Sequence, residues 1–319
     1  MKGGNEMSNQ IQQKTILFTI GRAGYPVTRC IQIAKLLASH RILFAASEKQ
    51  TLVLQKLDQQ GFAPLSYVSK ADLKKLLQEH EPDVVISDGG DTDIDEGKLL
   101  SSLVPVTLHF DDFGEGGKAA TRVVQTLYHE DREQVPSHYV IGPSAFIVPE
   151  ELEPYANSGL KQVTALPLPH VVVTFADADA DNLSYRTLRH LLHLQIPLAI
   201  TVALHSSYPH SRDDLKLMAL GRKQTRIVDC DDPIQLISES DLVICDASYT
   251  PYHVAVIGKP CIVIAEDERE AQNAFHKEAN GFIYLGLGRK LKQSHLQNAV
   301  METILHPNRS VRAIKKQLS

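Results

Sequence analysis

The sequence holds 319 residues, 43% of them hydrophobic and 22% charged, with a formal charge of −5. That length exceeds one ordinary domain, and the composition is that of a soluble globular protein with a large core. The balance of charge excludes a broad basic field for nucleic acid, and the lack of an apolar run of about eighteen residues excludes a membrane-spanning helix.

In chain order, Met1 to Gln10 is a polar leader expected to be disordered, and residues 1–14 are set apart from the first domain. Thr15 to Ile20 reads as a buried strand, Gly21-Arg-Ala-Gly24-Tyr-Pro26 as a turn, and the residues through Leu37 as an amphipathic helix with Cys30, Ile31, Ile33, Ala34, Leu36 and Leu37 toward one face. A glycine turn between a first parallel strand and a helix lets backbone approach a ligand and offers N–H groups to an anion, so Gly21, Arg22, Gly24, Tyr25 and Arg29 become candidates for a phosphate or sugar. The full GxGxxG pattern is missing, and any first strand-to-helix turn of an α/β protein shares these traits.

A second strand follows at Arg41 to Ala46, and a helix over Lys49 to Gln60 ends at Gly61. Phe62 to Val68 is a weaker strand and Ser69 to Glu79 a helix, which Pro82 separates from the strand Asp83 to Ser87. This alternation predicts a parallel sheet covered on both faces, with its ligands at the carboxyl ends of the strands. Acidic residues collect there: Asp88 to Asp93 after the fourth strand, and Asp111 and Asp112 after Val104 to Phe110. Such carboxylates can orient sugar hydroxyls, hold a metal or act as a general base, and they can equally cap helices and turns.

Ser137 to Ile141 is a further strand, and Tyr155 to Leu168 reads as a connection, which places the domains at 15–160 and 169–319 with a linker at 161–168. The second half restarts with the strand Pro169 to Phe175, the loop Ala176 to Asp181 and a helix capped by Asn182 or Ser184. Strands at Pro197 to Val202, Thr225 to Asp229, Asp241 to Cys245 and Lys259 to Ile264 alternate with helices at Pro233 to Glu239 and Thr250 to Ile257. The segment Arg309 to Lys316, with four basic residues, reads as a solvated helix end.

Four scattered cysteines without a CxxC pair fit reduced thiols of a cytoplasmic protein. The fourteen histidines include His190 with His193 and His205 with His210, but no carboxylates stand in register with them, so no metal is expected. No cofactor is expected either. A GxSxG elbow is absent, which leaves a Ser-His-Asp hydrolase without support.

The order of segments resembles the nucleotide-sugar hydrolases of pseudaminic acid biosynthesis and their relatives in spore-coat polysaccharide biosynthesis. These are similar to the glycosyltransferase that adds N-acetylglucosamine in peptidoglycan synthesis. The residues that carry the resemblance are Gly21-Arg-Ala-Gly24-Tyr25-Pro-Val-Thr-Arg29-Cys30, Ser87-Asp88, Asp111-Asp112 and Gly142 to Glu151. It implies two Rossmann-like domains facing each other across a cleft, in the glycosyltransferase-B arrangement, and a UDP-linked sugar as the ligand. Transfer or hydrolysis of that sugar is the implied reaction, with other enzymes of polysaccharide synthesis as partners.

The chain departs from the family at its chemistry. Tyr25 stands where the family has a His, so Asp88, Asp111 and Asp112 become the candidates for a base. Phe175-Ala-Asp-Ala-Asp179 keeps only the last Asp of the family's F-G-G-S-D, leaving Asp177 and Asp179 as candidate ligand contacts. Ala247-Ser248-Tyr-Thr250-Pro-Tyr-His253 replaces a G-G-S-T-x-x-E loop whose glycines admit a diphosphate and whose Glu binds ribose. A neutral His253 offers one acceptor and one donor where a Glu would accept two hydrogen bonds. Glu266-Asp-Glu-Arg-Glu270 is expected to repel phosphate. These losses together support an alternative, a catalytically degenerate relative that serves as a binding or assembly partner.

Overall fold

The computed structural model describes residues 13–129, 135–161, 168–175 and 179–318. The leader to Gln10, most of the expected linker, and Asp177 lie outside the described residues. Contacts divide the chain into two compact units after Val124.

The first part of the chain runs β1 (Thr15–Ile20), α1 (Tyr25–Leu36), β2 (Arg41–Ser47), α2 (Thr51–Gln59), β3 (Leu65–Tyr67), α3 (Lys70–His80), β4 (Val84–Asp88), α4 (Ile94–Leu103), β5 (Val106–Phe110), β6 (Arg122–Gln125) and β7 (Tyr139–Ile141). Its sheet has the order β3-β2-β1-β4-β5-β6-β7. The pairings of β1 with β2 and β4, and of β4 with β5, are parallel. Strands apolar on both faces need helices on both sides, and Leu17, Ala45 and Val85 from the sheet are buried with Leu73, Leu77 and Leu100 from α3 and α4. Ser69 caps α3 by accepting from the Asp72 amide, and Asp72 reaches back to the Ser69 amide.

The second part runs β8 (His170–Thr174), α5 (Leu183–Leu191), β9 (Ala199–Leu204), α6 (Arg212–Ala219), β10 (Thr225–Asp229), α7 (Ile234–Ser238), β11 (Leu242–Cys245), α8 (Thr250–Ile257), β12 (Cys261–Ala265), α9 (Glu268–Ala271), β13 (Ile283–Leu287), α10 (Gln293–Leu305) and α11 (Pro307–Gln317). Its sheet order is β10-β9-β8-β11-β12-β13, with parallel pairing. The α8 helix ends at Gly258 in the left-handed conformation (φ 82°), as a glycine C-cap allows. Both parts are therefore Rossmann-like, with a parallel sheet whose order reverses at its first strand. No helix among the described residues is long and apolar enough to cross a membrane.

Two expectations are corrected at the level of elements. The segment from Ile94 to Leu103, passed over in the sequence, is a helix with Asp93 as its cap. The α5 helix begins after Asn182, but neither Asn182 nor Ser184 caps it. Asp179 does, accepting from the amides of Leu183 at 2.5 Å and Ser184 at 3.0 Å.

Candidate functional site

In each sheet the order reverses between two neighbouring strands, β1 with β4 and β8 with β11, and the crevice beyond their carboxyl ends is where such a fold receives ligands. The first of these places is built of backbone. The Gly21 amide donates to the Asp88 carbonyl at 3.2 Å. A Cβ on Gly21 would lie 2.4 Å from the Gly89 carbonyl oxygen, so only glycine lets the two turns meet. Gly24 (φ 76°, ψ −140°) turns the chain into α1 in a conformation closed to other residues, and as a glycine it offers the helix no capping side chain. Arg22 is exposed, its guanidinium lies over Gly90, and it makes no ion pair among the described residues. A helix amino end with a cation beside it is suited to an anion.

Behind this turn stands a closed ionic network. Arg29, fully buried, gives Nε and Nη2 to the two oxygens of Asp88 at 2.8 and 2.9 Å, and Nη1 to Asp111 at 2.9 Å. The guanidinium lies 4.2 Å from the centre of the Phe110 ring and 5.0 Å from that of Tyr25. Burial raises the Asp88 carboxyl while Arg29 pulls against it.

Asp112 is engaged in its own way. It accepts from the Thr92 amide (3.0 Å) and hydroxyl (2.6 Å) and from the Gly114 amide (2.8 Å), and it meets His109 Nδ1 at 2.8 Å. Burial works to raise this carboxyl, but the His109, Thr92 and Gly114 bonds prevail and hold it below the usual value. The three acids singled out in the sequence are thus brought close along β4 and β5. Asp88 and Asp111 share one cation, while Asp112 is occupied by turn amides, a hydroxyl and an imidazole.

In the second unit, Asp246 follows β11 and is fully buried. One of its oxygens accepts from the Ser248 amide at 2.8 Å and from the Ser248 hydroxyl, the other from the Thr250 hydroxyl at 2.8 Å. Glu270 accepts from the amides of Ala247 (3.2 Å) and Glu266 (2.9 Å), and Asn273 donates to the Ala247 carbonyl at 2.7 Å. The amides of Ala247 and Ser248 and the hydroxyls of Ser248 and Thr250 are therefore met by the chain's own carboxyl groups. His253 lies on α8 with its ring centre 5.8 Å from that of Phe146, and burial pushes its pKa down to about 4, which keeps it neutral at pH 7.

Glu266 Oε1 is buried without a hydrogen-bond partner among the described residues. Burial, then the charges of Glu270 and Asp246, push Glu266 up to about 9, and burial followed by Asp246 pushes Glu270 up to about 8. Two carboxyl groups so close to each other and to Asp246 hold at least one proton between them at neutral pH. The segment from Glu266 to Glu270 therefore carries less negative charge than its letters indicate, which tempers the expected repulsion of phosphate. Asp179, besides capping α5, accepts at its backbone carbonyl from His210 Nε2 at 2.8 Å. Asp246 was missed in the sequence. The available signal was an acid immediately past a buried strand, as at Asp88.

No protein-family model matches the chain. It is 22% identical over 252 residues to an uncharacterized protein of Methanocaldococcus jannaschii, covering 76% of this chain and 52% of that protein, so it spans about half the length of this curated relative. Among solved structures it is similar to MurG of Acinetobacter baumannii, with a TM-score of 0.67, 16% identity and 95% of each chain covered. It is similar to S. aureus MnaA, solved with UDP, with a TM-score of 0.65 at 12% identity over 96% of this chain and 92% of that one. It is also similar to the UDP-GlcNAc 2-epimerase of Neisseria meningitidis, solved with UDP-GlcNAc, with a TM-score of 0.62 at 12% identity over 94% of each. At these identities the likeness establishes the fold, a pair of Rossmann-like domains of the glycosyltransferase-B kind.

Proposed function

We propose that this chain binds a UDP-linked sugar and transfers the sugar, or hydrolyses its bond to UDP, in the cytoplasmic assembly of a surface or spore-coat polysaccharide. The observation that carries this reading is the amino end of α1, opened by Gly21 and Gly24 and flanked by the exposed Arg22, which makes no ion pair among the described residues. It would take the phosphate, with the Tyr25 edge of the turn toward the sugar. Solved proteins of the same fold with UDP or UDP-GlcNAc bound support the choice of nucleotide.

In the second unit a proton held by the Glu266 and Glu270 pair can be donated to a ligand hydroxyl or carbonyl, and Ser248, Thr250 and the neutral His253 stand on the same loop and helix. Asp88 and Asp111 act in this reading by holding Arg29 and, through it, α1. Use of any of these carboxylates as a base would first require it to release the partners described above.

A second reading, a partner protein without turnover, is favoured by one observation: Asp246 and Glu270 already occupy the amides and hydroxyls at the start of α8. Calorimetric titration with UDP separates the two. The nucleotide reading expects micromolar binding that weakens about tenfold, or 1.4 kcal/mol, in Arg22→Ala. Absence of heat at millimolar UDP in the folded protein removes the first reading and leaves the second.

A further inference from the structure

We infer that the second unit carries a separate binding site for a small amphipathic monoanion, an apolar chain or ring bearing one carboxylate, in the cavity beneath α11. This cavity has a volume of about 430 Å³, within the ordinary range for small-molecule sites. It opens at the amino ends of β12 and β13, where Pro260, Cys261, Phe282 and Ile283 line it, whereas Glu266 and the loops of the candidate site lie past the carboxyl end of β12. It is therefore distinct from that site along the strand direction.

The cavity is held by packing that leaves α11 little freedom. Gly281 (φ 88°) presses on the helix so closely that a Cβ there would lie 2.2 Å from the Ala313 carbonyl oxygen. Gln317 donates to the Gly281 carbonyl at 3.2 Å, the Ser310 hydroxyl donates to the Thr303 carbonyl at 3.1 Å, and Ile314 is fully buried. The chemistry of the lining is two-sided. Its floor is apolar, while α11 brings Arg309, Arg312 and Lys316 to the same cavity, spaced three and four residues apart on one helix face.

Glu302 takes Arg309 as its ion-pair partner, and Glu278 is the remaining acid of the lining. Arg312, exposed at the rim of this apolar hollow, makes no ion pair among the described residues and is the cation open to a ligand. An anion with an apolar body matches both features: the body covers the floor and the carboxylate meets Arg312. A cationic or neutral amphiphile would gain the floor and forgo the charge.

The test is calorimetric titration of the full chain with decanoate, decanol and decyltrimethylammonium, alongside the exposed-surface variant Arg312→Glu and the cavity-filling variant Ala313→Trp. The inference expects one decanoate per chain, at least about tenfold weaker binding of the other two probes, and a loss of about tenfold or more in each variant. Arg312 is exposed, so the first variant remains informative even where the tryptophan variant fails to fold. No saturable decanoate binding, equal binding of the cationic probe, or binding unchanged in Arg312→Glu would overturn it. Because UDP is absent from this test, its failure leaves the nucleotide reading untouched.

Discussion

Arg29 shows how far one residue's role departs from its letter. In the sequence it sits four residues past Tyr25 in a turn suited to phosphate, which made it a ligand contact. In the folded chain its guanidinium is sealed between two carboxylates and two aromatic rings. A buried charge left without its partner is costly, so Asp88→Ala should lower stability by about 3–5 kcal/mol in a denaturant titration, well beyond a surface change. A loss under 1 kcal/mol would mean that the network is dispensable.

Glu266 makes a prediction of opposite character. Between the ordinary glutamate pKa of 4.5 and its folded value of about 9, the folded protein keeps a proton that the unfolded chain has released. Its contribution to stability therefore falls as pH rises through that window, and nothing is lost below it. Glu266→Gln should match the parent in stability at pH 4 and gain on it progressively as the pH is raised to 8. Equal thermal midpoints at both pH values would contradict the raised pKa. None of this was legible in the sequence, where Glu266 to Glu270 read as charged acids near the ligand that would repel phosphate. Burial reverses the sign of the argument, and burial is set by residues far along the chain.

At the scale of elements, the strands were the legible part, because a strand covered on both faces needs a mostly apolar run, as in Val171 to Phe175 or Leu242 to Cys245. What escaped was α4, whose pattern is broken by Gly97. A Cβ there would lie 2.3 Å from the Gly116 carbonyl oxygen, so the glycine serves a close approach between segments rather than a turn. Gly97→Ala should accordingly destabilise the fold by more than 1 kcal/mol, although alanine is the better helix former by about that amount. A gain in stability would show that the approach relaxes without cost. The cap of α5 escaped for a related reason: Asp179 and Asn182 both adopt positive φ (40° and 53°), which folds the loop back so that an acid three residues before Asn182 reaches the helix amides. Asp179→Ala should cost about 1–2 kcal/mol through loss of that cap. A change indistinguishable from zero would return the role to Asn182.

At the scale of the whole molecule, the two Rossmann-like halves with matching leading strand order were readable from the repeated alternation of strand and helix. The chemistry of the ligand was not. The resemblance supplied UDP, while the replacements at Tyr25, Ala247, Ser248 and His253 argued against a simple transfer of the family's contacts, and the folded chain meets the loop amides with its own acids. The central claim is that a sugar nucleotide is received at the glycine turn of the first unit. The most direct test is amide hydrogen exchange with and without saturating UDP. The account predicts slowed exchange over Gly21 to Thr28, and less slowing there in Arg22→Ala at the same UDP concentration. Exchange unchanged in that turn, with UDP present at millimolar concentration, would contradict it.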